Sequence, residues 1–192
     1  MANELKTINI LKIYKEANPE ERFRIMMHNF VDFPREVNKA EQKIVFKIKS
    51  EQEWARQSVK EGIGVRVQTS NKSDPTADEA IANALIDEAF ETGVIDKSVL
   101  KGIAGASEIE EEIRMVRIMR MDYELLEGLM NNLSENDSRI MIKHFVEKKY
   151  FKDIAYEEKR NYDAVKKRIR TLSQDLKEEI IEYLAMNYRR EE

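Results

Sequence analysis

The chain has 192 residues, 42% of them hydrophobic and 36% charged, with 6 Gly, 3 Pro and 0 Cys. That length fits one domain or two small ones rather than a large enzyme, and so little glycine and proline favours long helices over a turn-rich sheet fold, so an all-α chain is expected. With no cysteine there is neither a disulfide framework nor a thiolate site, and the formal net charge of -4 makes a uniformly basic surface impossible.

The charge is unevenly spread. Residues 1–73 carry 14 Lys/Arg against 10 Asp/Glu, residues 74–137 carry 5 against 16, and residues 143–172 carry 10 against 5. A basic segment inside an acidic protein points to a local contact with a polyanion, because repulsion elsewhere confines the polyanion to one face. No segment is apolar and long enough to span a bilayer, and the N-terminus lacks the apolar run of a signal peptide, so a cytoplasmic location away from membranes is expected.

In chain order, residues 3–17 place Leu5, Ile8, Leu11 and Tyr14 at helical intervals. Asn18, Pro19, Glu20 and Glu21 then form a fresh helix start, with proline in the first turn. Phe23, Met26, Met27 and Phe30 give that second helix its apolar face before Asp32, Phe33 and Pro34 break it. From Arg35 the series Val37, Ala40, Ile44, Ile48, Ala55 and Val59 keeps a helical step, although Ile44, Phe46 and Ile48 alternate as a strand would. Length favours the helix. Gly62 and Gly64 end it, residues 65–68 are read as extended, and residues 69–75 are polar and turn-rich, as in a linker.

Thr76 and Glu79 form a Thr-x-x-Glu capping box ahead of Ala80, Ile81, Ala84, Leu85 and Ala89. Residues 91–106, with Gly93, Gly102 and Gly105, are expected to hold a short helix between loops. Ser107 and Glu110 repeat the capping pattern, and Ile109, Ile113, Val116, Met119, Tyr123, Leu126, Met130 and Leu133 follow at steps of three and four. This long helix has the spacing of a coiled-coil seam. A homodimer through residues 107–132 and packing of the stripe within the same chain are both compatible with it.

Ser134 caps the next helix, with Asp137 in its first turn and Ile140, Met141, Phe145 and Val146 as its buried side. Tyr150 to Ala155 then form a short helix, Asn161 caps another, and Val165, Ile169, Leu172 and Leu176 line one face of that last helix. Lys166, Lys167 and Arg170 are left facing outward. Two short helices crossing through a tight turn, the second cationic on one side and aliphatic on the other, are what a helix-turn-helix presents to a DNA groove.

This pattern resembles region 4 of bacterial sigma factors. In that family a Glu-Ile-Ala motif precedes a turn and a recognition helix of Thr-Val-Lys-x-Arg-Leu type; Asp153-Ile154-Ala155 stands for the first and Ala164-Val165-Lys166-Lys167-Arg168-Ile169 for the second. The likeness covers about residues 133–177 and departs in the turn. Where the family has an apolar residue, Gly and another apolar residue, this chain has Glu158, Lys159 and Arg160, so a longer or more mobile turn is expected. The wider arrangement is similar to phage late-gene transcriptional regulators of the ArpU-like and RinA-like kind. It shares with them a Pro-Thr-x-x-x-Ala-Ile element, here residues 75–81, ahead of a long helix and the sigma-like domain.

The sequence divides into four segments: a helical N-terminal domain at 1–68, the linker at 69–75, an acidic helical segment at 76–132 and a helix-turn-helix domain at 133–192. The resemblance implies double-stranded DNA as partner, with RNA polymerase as a second candidate. Lys166, Lys167 and Arg170 would meet the major groove, with Asn161, Tyr162 and Asp163 near base edges or phosphates. Lys148, Lys149, Lys152, Lys159 and Arg160 would hold the DNA backbone.

The competing readings are a small terminase-type DNA-packaging subunit and a protein that binds RNA polymerase or a sigma factor without touching DNA. An enzyme is not expected, and neither is a cofactor or metal. His28 and His144 each sit beside apolar neighbours as structural histidines do, Glu110, Glu111 and Glu112 splay around their helix, and there is no Gly-rich phosphate loop or Ser/His/Asp set.

Overall fold

A computed structural model describes residues 10–61 and 75–189. The chain is all-α, and no strand occurs among the described residues. Its helices are α1 (Ile10–Glu16), α2 (Pro19–His28), α3 (Phe33–Glu61), α4 (Pro75–Thr92), α5 (Ala106–Asn131), α6 (Glu135–Met141), α7 (Phe151–Glu157) and α8 (Tyr162–Arg189). A π-helical turn, Ile142–Val146, continues α6. Leu5, Ile8 and the expected linker at 69–74 lie outside the described residues, as do the helix end at Gly62 and Gly64 and the extended reading of 65–68.

The chain forms two compact units, Asn38–Ile118 and the rest, so the N-terminal and C-terminal helices share a unit. These units do not follow the four segments drawn from the sequence: their borders fall inside α3 and α5.

In the unit Asn38–Ile118, α3 settles the strand-like alternation in favour of a helix. Ile44 and Ile48, one turn apart, are buried, while Phe46 between them is 74% exposed. Gln52 donates from Nε2 to the Val99 carbonyl at 2.9 Å, and Lys47 Nζ lies 3.3 Å from Glu108 and 3.6 Å from Glu112. Three local expectations are corrected in this unit. Helix α4 starts at Pro75, so Thr76 lies within the first turn and is not the cap. Helix α5 starts at Ala106: the Gly105 carbonyl accepts from the Glu108 and Ile109 amides, which puts Ser107 inside the helix. Residues 93–105 hold no regular helix but successive four-residue turns, closed by Val99 N–H to the Asp96 carbonyl and Ile103 N–H to the Leu100 carbonyl, with the Asp96 carboxylate accepting from the Ser98 amide at 2.7 Å. Gly93 and Gly102, at φ of 77° and 80°, break the helical run there.

The seam of α5 is buried within the chain. Ile109, Ile113, Val116, Met119 and Leu126 are all 0% exposed, so this stripe packs within the same chain.

In the other unit, Asn18 and Glu21 complete a reciprocal capping box on α2, with Pro19 in its first turn as the sequence predicts. Phe33 stacks on Tyr123 at 5.6 Å, and the Tyr123 hydroxyl donates to the Phe30 carbonyl at 2.9 Å. Two charged side chains are buried here. Arg22 donates from Nε to the Tyr14 and Ala17 carbonyls, each at 3.1 Å, with its guanidinium over the Tyr14 ring. Asp122 accepts from the Tyr14 hydroxyl at 2.8 Å and from Asn187 at 2.7 Å. Neither residue stands out by composition, yet together they bind α1, α2, α5 and the end of α8 into one polar core.

Helix α8 is long because its aliphatic stripe does not stop at Leu176. Ile180 and Leu184 extend it, both fully buried, and α8 packs against α2 as well as α7. Its cation-bearing first turns and its core-forming end are therefore parts of one helix.

Candidate nucleic-acid interface

The interface is built from α7, a four-residue connection and the first turns of α8. Ile154 and Ala155 of α7 are buried, as are Val165, Ile169 and Leu172 of α8, and the two helices pack together. Alanine at 155 lets their backbones approach. Successive residues of an α-helix turn by about 100°, so Lys166 and Lys167 stand one such step apart on α8, with Arg170 between them. Lys167 and Arg170 lie on the side away from Val165 and Ile169, and Lys166 flanks the buried face.

The connection is tight, which corrects the longer or more mobile turn expected from its composition. The Arg160 amide bonds the Ala155 carbonyl at 2.9 Å and the Lys159 amide bonds the Tyr156 carbonyl at 3.2 Å, the two bonds of a Schellman motif. Lys159 takes the left-handed conformation this requires, with φ of 51°. The geometry that glycine would ease is kept with a lysine in its place. Glu158 replaces an apolar contact by ion pairs: its side chain is only 8% exposed and meets Lys143 at 2.5 Å and Arg139 at 3.1 Å.

Changing Lys159 to Gly is expected to stabilise the fold by about 0.5–1 kcal/mol, because the left-handed cost to a residue with a Cβ exceeds the added freedom of the unfolded chain. A urea midpoint that stays put or falls would contradict this.

The predicted contact residues divide into two sets. Lys152, Lys159, Arg160, Lys167 and Arg170 are exposed and form no salt bridge among the described residues. Lys166 is half-buried, its ammonium 5.7 Å from the centre of the Tyr162 ring. Asp163 is exposed at the helix start, and Asn161 caps α8 by accepting from the Asp163 amide at 2.8 Å. The other set is occupied inside the chain. Lys148, also left-handed at φ 56°, donates to the His28 carbonyl at the end of α2. Lys149 is held between Glu157 at 2.7 Å and Glu147 at 2.9 Å. Its hydrogen bonds, first to Glu157 and then to Glu147, raise the Lys149 pKa, and the same contacts with Lys149 and Lys143 lower that of Glu157.

Sequence reasoning missed the residues that hold this assembly. Arg168 leaves the cationic ridge and forms a two-bond pair with Asp137 of α6, Nε to Oδ1 at 2.8 Å and Nη2 to Oδ2 at 2.7 Å. The π-turn shifts the register after Met141, so Phe145 is half-buried and Val146 is 36% exposed, whereas both were expected in the core. His144 stacks on Phe151 at 4.5 Å and meets the Lys149 carbonyl at 3.2 Å through Nδ1.

Hydrogen bonding from Arg168, reinforced by Ser134, holds the Asp137 carboxyl down at about 2 against its own desolvation. Because that folded value lies below the ordinary 3.8, the pair stabilises the fold fully above that pH and the contribution disappears as pH falls through about 2. With Arg168 47% exposed, screening leaves about 1–2 kcal/mol. The stability gap between the native chain and Asp137→Asn is therefore expected to be present at pH 6 and to close at about pH 2; a gap independent of pH would refute it.

Against family models, curated proteins and solved structures, the chain has no match.

Proposed function

We propose that this chain is a sequence-specific DNA-binding transcriptional regulator, phage- or prophage-encoded, that reads the major groove with the first turns of α8. The observation that carries the reading is the sorting of the cations. Arg139, Lys143, Lys149 and Arg168 are matched to carboxylates, while Lys167 and Arg170 face outward without one and the half-buried Lys166 beside them has none either. A merely solvated helix has no need of such a division. Lysine at a left-handed position where glycine is cheaper favours a use for the exposed Lys159 charge.

The reading keeps the resemblance to sigma region 4, now with a tight turn, and makes the protein a binder rather than an enzyme. No helix of the described residues is long and apolar enough to cross a membrane, in keeping with a protein that works on DNA in the cytoplasm.

The test is a salt titration of binding to genomic fragments, with mapping of the bound sites. Six cations without carboxylate partners predict that log K falls against log salt with a slope of at most about −5. A slope near −7 would return Lys148 and Lys149 to the interface; no salt-dependent DNA binding would overturn the function.

A further inference from the structure

Beside the recognition ridge lies a small cleft of about 250 Å³ lined by Tyr150, Phe151, Lys152 and Tyr162. Two of its walls are tyrosines that the fold leaves in water: Tyr150 is 74% exposed and Tyr162 is 44% exposed. Its apolar side is held from behind, since Phe151 stacks on His144 and His144 meets Phe145 edge-on at 4.7 Å. Lys152 supplies a cation without a salt-bridge partner among the described residues, and Lys166 sits over the Tyr162 ring. Nothing in the packing of α7 on α8 calls for exposed aromatic rings here.

We propose that this aromatic and cationic cleft takes one unpaired nucleotide of a DNA strand, its base stacked on tyrosine and its phosphate against Lys152, a proposal that rests on the DNA-binding reading. The volume is below the roughly 300–1,000 Å³ of pockets for drug-sized molecules, which suits a single flat ring system. Base-to-aromatic stacking joined to a cation is how proteins hold unstacked strands without reading sequence. A paired base inside a duplex has both faces covered by its neighbours, so only an unpaired one can lie against a tyrosine ring. Tyr162 is the first residue of α8 and Lys166 follows one turn later, so a strand gripped by the ridge passes the cleft.

The test compares the full chain on three probes by fluorescence anisotropy: a paired 30-base-pair duplex, the same duplex with four central mismatches, and dTMP as competitor. The mismatched duplex is expected to bind roughly 10-fold more tightly than the paired one. The variant Tyr150→Ala loses that preference and keeps its affinity for the paired duplex, while Tyr150→Phe retains both. Circular dichroism confirms that each variant is folded. Equal binding of the two duplexes, or a preference that survives the alanine variant, overturns the proposal and leaves the DNA-binding reading intact. Loss of preference in the phenylalanine variant overturns it in favour of hydroxyl contacts. Displacement of the mismatched duplex by dTMP at micromolar concentration overturns it in favour of a free mononucleotide site. Absence of binding to either duplex overturns the DNA-binding reading and the proposal with it.

Discussion

Replacing Lys166, Lys167 and Arg170 together by alanine is expected to abolish sequence-selective DNA binding and to leave helical content unchanged. Lys167 and Arg170 face away from Val165 and Ile169, Lys166 is half-buried beside Tyr162, and none of the three forms a salt bridge among the described residues, so their removal breaks no ion pair of the fold. Alanine is the best helix former, and exposed substitutions of this kind change stability within about 0.5 kcal/mol each. Their contribution to recognition is larger: a cation paired to a base edge gives about 1–3 kcal/mol of discrimination, so the three together carry a factor of at least about 100. The measurement is the ratio of affinities for a selected site and a random duplex, beside the circular dichroism spectrum. Selectivity retained in the triple variant would show that α8 is not the reading helix. Lys143→Ala is the complementary control, because Lys143 is bound to Glu157 and Glu158 and should affect stability rather than selectivity.

The largest loss of stability is expected at Asp122, which is 1% exposed and accepts from both the Tyr14 hydroxyl and the Asn187 amide. Asp122→Ala leaves one buried donor, Tyr14, and one half-buried donor, Asn187, without that acceptor and opens a void, at a cost of about 3 kcal/mol or more. That is a large part of the 5–15 kcal/mol typical of a whole domain. Tyr14→Phe removes a single donor and should cost about 1 kcal/mol. Urea denaturation orders the two; an Asp122→Ala midpoint close to that of the native chain would mean that the carboxyl is not central to this core.

The parts of the fold that were legible in the sequence are those where one short-range rule acts alone. The step of three and four through Val165, Ile169, Leu172 and Leu176 marks a buried face that the structure confirms, and Asn18 with Glu21 forms the box that caps α2. Thr76 and Ser107 failed as caps because Pro75 and Gly105 nearby start their helices earlier, a competition between two local signals that spacing cannot rank. The ion pairs of the candidate site were hidden for another reason: Arg168 and Asp137 are 31 residues apart, and nothing local selects that partner over other carboxylates. Arg22 and Asp122 did carry a signal. Each stands one turn before an apolar residue of its helix, Met26 and Leu126, so each puts a charge on a buried stripe, where it must be hydrogen-bonded.

The length of α8 has a mechanical consequence. At 1.5 Å per residue its 28 residues make a rod of about 42 Å, with Lys166, Lys167 and Arg170 near one tip and Asn187, fastened to Asp122, near the other. Bending such a rod means breaking consecutive backbone bonds, so its tips swing as a rigid lever about the α2 crossing. Loosening the anchorage at Asn187 would thus re-aim Lys166 and Arg170 without touching them, and the orientation of the cationic tip is inherited from packing several turns away.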